Sequence, residues 1–220
     1  MINPTLAYTA PFITFVGLMS LTGHLRASQT VAYPLRSLAA LAVWWALSRR
    51  LIRWRPSRPL TSVLLGVAVF FVWIGPELIW PGYRQHWLFA NALTRTAQGA
   101  LTDQARGDAG FLLIRLLGST LLVPVIEELF WRGWLMRWLM GHDFSKAPLG
   151  TYCARAFWIT AVLFAVEHGA RWDVGLAAGV AYNWWILQTR NLADCILAHA
   201  VTNGCLAAYV LWAGAWTYWV

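Results

Sequence analysis

Charged residues are scarce in this sequence. Only 12% of the 220 residues are Asp, Glu, Lys or Arg, whereas 59% are hydrophobic and the mean hydropathy is +0.53. Ordinary soluble domains carry roughly 25% charged residues. One water-soluble core cannot hide so much apolar surface. The composition therefore excludes an ordinary soluble domain and predicts a membrane protein.

Cysteines and acidic residues are also few. The three cysteines are odd in number and lack metal-type spacing, so we interpret Cys153, Cys195 and Cys205 as packing residues. Nine acidic residues against 17 basic ones give a net charge of +8. In a soluble protein this excess would suggest nucleic acid as a partner. In a membrane protein the distribution of positive charge between loops explains it better, and we expect no nucleic acid partner.

The hydrophobic residues fall in blocks of about the length of a membrane-spanning helix, which needs about 20 residues. Short strands of alternating polarity, typical of outer-membrane barrels, are absent. The sequence predicts an all-α, polytopic membrane helical bundle with about seven to eight transmembrane helices, in one integral membrane domain over residues 1–220. The seven blocks are 6–23, 30–48, 61–80, 111–139, 155–170, 174–189 and 192–219.

The loop between the second and third blocks contains five arginines, Arg49, Arg50, Arg53, Arg55 and Arg58. Such loops stay in the cytoplasm. Counting outward from this loop places nine basic residues inside and five outside, and it predicts a cytoplasmic N-terminus. The inside residues are these five with Arg137, Lys146, Arg155 and Arg190, and the outside residues are Arg26, Arg84, Arg95, Arg106 and Arg171.

The fourth block contains two consecutive glutamates, although ionisable groups within a membrane are costly and need a partner or a function. Glu128 and Arg132 are four residues apart, with the carboxylate on the N-terminal side, which favours an ion pair on one helix face. Glu127 is turned about 100° away and lacks that partner. We therefore expect Glu127 to act as a general base and Glu128 to be structural. In the alternative interpretation, both carboxylates only make polar contacts between helices.

Two further blocks contribute polar residues. His168 ends Phe164-Ala-Val-Glu-His168, and His199-Ala-Val-Thr-Asn203 places a histidine and an asparagine on one helix face. Counted from helix ends near Leu139, Arg155 and Asn191, Glu127, His168 and Asn203 lie roughly 18–20 Å deep, so they can converge. Glu167 and Arg171 are also four apart, which indicates a structural pair; alternatively, Glu167 orients a catalytic group.

At these residues the chain resembles the CAAX-protease and bacteriocin-processing family, which includes the type II prenyl-protein endopeptidases. The matching motifs are Glu127-Glu128-x-x-x-Arg132, Phe164-x-x-x-His168 and His199-x-x-x-Asn203, in the family's order. Coverage is about 111–205, the catalytic half, whereas residues 1–110 form N-terminal helices and an external loop. The short, tryptophan-rich chain also resembles the bacterial subgroup associated with exosortase-type sorting.

The resemblance implies a glutamate-dependent intramembrane peptidase of the bacterial cytoplasmic membrane, acting on a membrane-anchored protein or peptide. Glu127 and His168 would activate water, His199 and Asn203 would stabilise the oxyanion, and Glu128 and Arg132 would brace the site. Two histidines and a glutamate could also bind zinc. The His-Glu-x-x-His helix of common zinc peptidases is missing, so we expect neither a metal nor another cofactor.

Two other functional classes remain open. A non-enzymatic bacteriocin-immunity or scaffold protein of the same fold needs the Glu128–Arg132 pair but has less need of all the other motif residues together. A proton-coupled transporter would also contain buried carboxylates and histidines. The chain shows no repeated halves with broken helices, which are typical of many transporters. The sequence does not reveal the natural substrate or the oligomeric state.

Overall fold

The computed structural model describes residues 3–91, 101–141 and 143–219, so Arg95 lies outside the described residues. The described residues contain no β-strand, and the predicted all-α polytopic bundle is confirmed. Short 3₁₀ turns connect some of the helices. The eight helices are α1 (Pro4–His24), α2 (Gln29–Leu47), α3 (Pro59–Ile79), α4 (Asp103–Gly107), α5 (Ala109–Trp138), α6 (Ala154–Glu167), α7 (Trp172–Thr189) and α8 (Leu192–Ala213).

Five of these helices, α1, α2, α3, α5 and α8, are long and apolar enough to cross a membrane. The blocks predicted at 155–170 and 174–189 form α6, with 14 residues, and α7, with 18 residues. At 1.5 Å per residue, α6 is about 21 Å long, shorter than the roughly 30 Å hydrocarbon core. The prediction of seven to eight crossings therefore stays a prediction beyond these five helices.

Local sequence signals fix where several helices begin and end. Asn3 caps α1 through Thr5 N, Asp108 caps α5 through Phe111 N, and Asn191 caps α8 through Ala193 N. These side chains satisfy backbone N–H groups that have no partner within the helix. At the other end of α8, Gly214 adopts the left-handed conformation that closes many helices.

The helices pack around α5. Helix α1 packs on α2, α3 on α8 and α6 on α7, and α5 contacts α1, α2, α6 and α8. Gly66 of α3 makes the α3–α8 contact possible, since a Cβ atom there would lie 2.3 Å from Ala198 O. Small residues allow such close approach between membrane helices. The contact fixes the part of α8 that precedes His199.

Helix α5 contains two π-helical segments, Gly118–Leu122 and Leu129–Leu135, on either side of Val123–Glu128. A π-helical turn inserts extra backbone into an α-helix and is frequent at functional sites. The two segments therefore set the direction of both glutamate side chains relative to the rest of α5.

The loop between α2 and α3, Leu149 and the α7–α8 turn line a common cavity at one end of the bundle. At the other end, Arg171 Nη2 donates to Thr217 O, and Thr102 N donates to Gln29 Oε1. Segments that the sequence assigned to one side of the membrane therefore lie together in the structure.

Candidate active site

The centre of the candidate site is a fully buried ion pair. Arg132 Nη1 donates to Glu128 Oε1 at 2.9 Å, and His199 Nδ1 lies 2.9 Å from the same oxygen. Neither the Glu128 nor the Arg132 side chain is exposed. The four-apart pair predicted from the sequence is present, and it also positions a histidine on another helix.

Helix α7 provides the other hydrogen-bond acceptors for the Arg132 guanidinium. Nε donates to Asn183 Oδ1 at 2.9 Å, and Nη2 donates to Gly179 O at 3.2 Å. Asn183 in turn donates to Phe157 O at 2.8 Å. Three residues of two helices thus accept hydrogen bonds from one cation, and Arg132 has a planar array of donors suited to this geometry.

Tyr182 supports the His199 ring. The two rings stack, with centroids 5.0 Å apart and an angle of 22° between their planes. The Tyr182 hydroxyl donates to Thr202 Oγ1 at 2.7 Å, and Thr202 donates to Gly66 O at 2.8 Å. The ring of His199 is therefore fixed both by stacking and by its bond to Glu128.

The environment of Glu127 differs from that of Glu128. Glu127 is buried, with 8% of its surface exposed, and its Oε2 atom has no hydrogen-bond partner among the described residues. Its neighbours within electrostatic range include Glu167, Glu128 and Arg132. A buried polar atom without a partner is uncommon and calls for an explanation. Oε2 of Glu128 likewise lacks a partner, so the two residues differ at their other oxygen: Oε1 of Glu128 is bound by Arg132 and His199, and Glu127 forms no ion pair with a described residue.

His168 follows the last residue of α6, and its tautomer follows from its contact. Nδ1 lies 2.7 Å from Phe164 O. A carbonyl oxygen only accepts, so Nδ1 carries the proton, and in the neutral ring Nε2 is left as an acceptor. Phe164 packs against both histidines, with ring centroids 4.6 Å from His168 and 6.2 Å from His199.

Asn203 lies one helical turn after His199 on α8. Its Nδ2 atom donates to Ser119 O at 2.9 Å, within the first π-helical segment of α5. An amide nitrogen has two hydrogens, so this bond leaves one available to a ligand. The contact also ties α8 to α5 on the N-terminal side of Glu127.

Comparison with known proteins matches residues 109–205 to the family model described as "Type II CAAX prenyl endopeptidase Rce1-like". This region belongs to the CAAX-protease family. The match spans both glutamates, both histidines and Asn203. No curated protein and no solved structure matches the chain. The family indicates a peptidase that acts on a peptide or protein substrate within a membrane.

One interpretation of the CAAX-protease region was wrong. Glu167 and Arg171 do not pair along a helix, because α6 ends at Glu167 and a 3₁₀ turn follows. Arg171 instead forms an ion pair with Glu77 of α3, which also pairs with Arg84. The four-residue spacing favours an ion pair only where the helix continues through both residues.

Sequence reasoning missed three residues that support the candidate site: Tyr182, Asn183 and Thr202. Asn183 was detectable as a buried polar residue in an otherwise apolar block. Tyr182 and Thr202 carried no such signal.

The described part of the CAAX-protease region offers no evident metal centre. No three His, Cys, Asp or Glu side chains of the described residues lie close enough together to hold a metal ion. The metal-independent mechanism expected from the sequence stays a prediction, as do the individual roles of the motif residues.

Proposed function

We propose that the chain is an intramembrane endopeptidase that hydrolyses a peptide bond with a water molecule activated by Glu127. The observation that supports this most is the contrast between the two glutamates. Both Oε2 atoms lack a hydrogen-bond partner, but Oε1 of Glu128 is engaged by Arg132 and His199, whereas the buried Glu127 carboxylate forms no ion pair with a described residue. A carboxylate that is already paired is poorly suited to accept a proton, so the free neighbour is the better general base.

In the proposed reaction, Glu127 accepts one proton from water while Nε2 of His168 accepts a hydrogen bond from the same molecule. The water oxygen forms a bond with the scissile carbonyl carbon, which becomes tetrahedral. Glu127 then gives its proton to the amide nitrogen, the C–N bond breaks, and an acid and an amine leave. A well-placed general base of this kind contributes about 10²–10⁴-fold in rate.

His199 and Asn203 would stabilise the oxyanion of the tetrahedral intermediate. His199 Nδ1–H is directed at Glu128, so the ring donates to the oxyanion from Nε2 in its doubly protonated form. The single Glu128 carboxylate then faces both this imidazolium and the Arg132 guanidinium. Asn203 would use the amide hydrogen that Ser119 O leaves free. Losing one such donor typically costs about 10²–10³-fold in rate.

The substrate of this proposal is a membrane-anchored protein or peptide cut within the bilayer of the bacterial cytoplasmic membrane. Membership of the exosortase-associated subgroup and a cytoplasmic N-terminus are parts of the same proposal. The five arginines of the α2–α3 loop support the orientation, because basic loops are retained on the cytoplasmic side.

The experiment is cleavage of a panel of membrane-tethered peptides by the full chain in lipid nanodiscs, followed by mass spectrometry of the products. Wild type is assayed with and without a chelator, beside His168→Gln and the exposed control His86→Gln. We expect cleavage by wild type and by the control, no effect of the chelator, and a loss of about 100-fold or more in His168→Gln.

Loss of wild-type cleavage with chelator, restored by zinc, would instead establish a metal-dependent mechanism. If folded wild type cuts no peptide of a broad panel, the non-enzymatic scaffold or immunity class becomes the better account.

A further inference from the structure

The cavity beside the arginine-rich loop between α2 and α3 has a volume of about 880 Å³. Three arginines line it, two from this loop and one from the turn between α7 and α8. The lining contains no acidic residue, and none of these three arginines forms a salt bridge with a described residue. The polar lining residues are Arg53, Arg55, Ser57, Thr189, Arg190 and Asn191.

The carboxylate of Asp194, which bonds to the lining residue Ser57, is already engaged in holding the loop. Asp194 is fully buried and accepts hydrogen bonds from Ser57 N, Ser57 Oγ, Arg58 N and Ser62 Oγ, at 2.6–3.0 Å. Asn191 Nδ2 donates to Arg55 O at 2.8 Å. The loop is therefore fixed before any ligand binds, and its arginines lack an internal counter-ion. Such a preorganised positive cavity favours an anion.

An apolar cavity of about 520 Å³ adjoins this region, and Trp54 lines both cavities. Helix α8 also links them. Leu192 lines the arginine cavity, whereas Ile196 and Ala200 line the apolar one. These residues are spaced by four on one helix face and extend over about 12 Å. The other walls are Leu38, Leu41 and Trp44 of α2 and Leu121, Leu122 and Val125 of α5.

We propose that the two cavities form one binding site for an anionic phospholipid. The phosphate lies between Arg53, Arg55 and Arg190, and one acyl chain passes Trp54 and follows α8 towards Ala200. Guanidinium groups bind phosphate through paired hydrogen bonds, and basic pockets beside membrane helices bind anionic headgroups. Tryptophan suits the boundary between headgroup and chain, since its ring is partly apolar and partly polar. The site stands independently of the proposed peptidase mechanism.

The test compares two double variants of the same loop that remove the same charge. Arg53→Gln with Arg55→Gln alters the cavity lining, whereas Arg49→Gln with Arg50→Gln leaves the lining unchanged. Binding of phosphatidylglycerol, phosphatidylcholine and inorganic phosphate is measured by native mass spectrometry and by the shift in unfolding temperature. We expect phosphatidylglycerol alone to remain bound and to stabilise the chain, with its affinity lowered about tenfold or more by the lining variant and about twofold or less by the control.

Several results would overturn the proposal. An equal loss of phosphatidylglycerol affinity in both double variants would mean that the lipid responds to the overall positive charge of the loop. Equal binding of phosphatidylcholine would mean that the site binds acyl chains without selecting the headgroup. Protection by inorganic phosphate alone would mean an anion site without a lipid. Competitive displacement of phosphatidylglycerol by a cleavable peptide would assign the cavities to the substrate.

A measurement on wild type covers the case in which the lining variant does not fold. A photoactivatable phosphatidylglycerol carries its reactive group at the end of one acyl chain. It should crosslink to residues 37–44 of α2, 114–125 of α5 or 196–200 of α8, which line the apolar cavity. Crosslinks spread evenly over all apolar helices would contradict the proposed chain position.

Discussion

At the scale of single residues, the proposed oxyanion site depends on how firmly the His199 ring is held. Glu128 accepts from Nδ1, and the Tyr182 ring stacks on the imidazole. The stacking and the hydrogen bond constrain different motions, because one fixes the tilt of the ring and the other its rotation. Both are needed for Nε2 to point at a reacting oxygen.

Replacement of Tyr182 tests this support. Tyr182→Leu removes the stacked ring, and we expect the turnover number to fall by about tenfold to 100-fold because small displacements of catalytic groups are costly. Tyr182→Phe keeps the ring and loses only the hydroxyl bond to Thr202, so it should retain most activity. The measurement is the turnover number of each variant with the same cleavable peptide. Equal activity of the two variants would show that stacking does not position His199.

The sequence predicted one contact within a helix correctly but none of the contacts between helices. The pair within one helix, Glu128 and Arg132, followed from spacing alone. The partners of Asn183 and Tyr182 could not be predicted, since a contact between helices depends on how the helices rotate and pack. The predicted Glu167–Arg171 pair was wrong for a local reason, because the helix ends at Glu167.

At the scale of secondary-structure elements, the π-helical segments of α5 decide where the glutamates point. Apolar blocks and spacing predicted α5 as one helix, but spacing rules assume a regular α-helix and do not reveal a π-helical turn. The segment Gly118–Leu122 precedes the glutamates and also provides Ser119 O for Asn203.

Deletion of one residue in this segment should abolish function. Removing Leu121 takes away the extra residue of the π-helical turn, so the segment closes as regular α-helix and Ser119 O returns to the hydrogen-bond ladder of α5. We expect cleavage to fall about 100-fold or more, because Asn203 loses the acceptor that positions it. The control Leu121→Ala removes the same side chain, 58% exposed, and keeps the register. Peptide cleavage and helix content by circular dichroism are measured on both. Full activity of the deletion would show that the π-helical register is unimportant.

Asp194 connects the two halves of the sequence at the start of α8. Asp194→Asn replaces an acceptor of four hydrogen bonds by an amide with one acceptor oxygen. We expect the free energy of unfolding to fall by about 1–3 kcal/mol. The exposed control Asp103→Asn should change it by less than about 0.5 kcal/mol. Unfolding in detergent with increasing denaturant measures both, and equal stability of the two variants would contradict the role of Asp194.

At the scale of the whole molecule, the distribution of basic residues predicts orientation. The sequence could group its loops by counting blocks, and the structure places the arginine-rich loop beside the α7–α8 turn, as that grouping requires. The structure alone does not fix which end of the bundle faces the cytoplasm. The charges next to the helices determine this orientation during membrane insertion.

Labelling of single cysteines tests the orientation. The native residues Cys153, Cys195 and Cys205 are replaced by alanine, and one cysteine is introduced by Arg50→Cys or by Gln104→Cys. We expect a membrane-impermeant maleimide to label the Arg50 position in inverted vesicles and the Gln104 position in right-side-out vesicles. The reverse pattern would place the N-terminus outside.

If the two adjacent glutamates have different tasks, Glu127→Gln and Glu128→Gln differ in turnover and in unfolding, and comparing these two variants is the most direct measurement. Glu127→Gln should lose about 100-fold or more in turnover without loss of stability, because the carboxylate oxygen has no partner to abandon. Glu128→Gln should lower the free energy of unfolding by about 3–5 kcal/mol, because Arg132 keeps a buried charge without its counter-ion. Cleavage by Glu127→Gln at the wild-type rate would contradict the account.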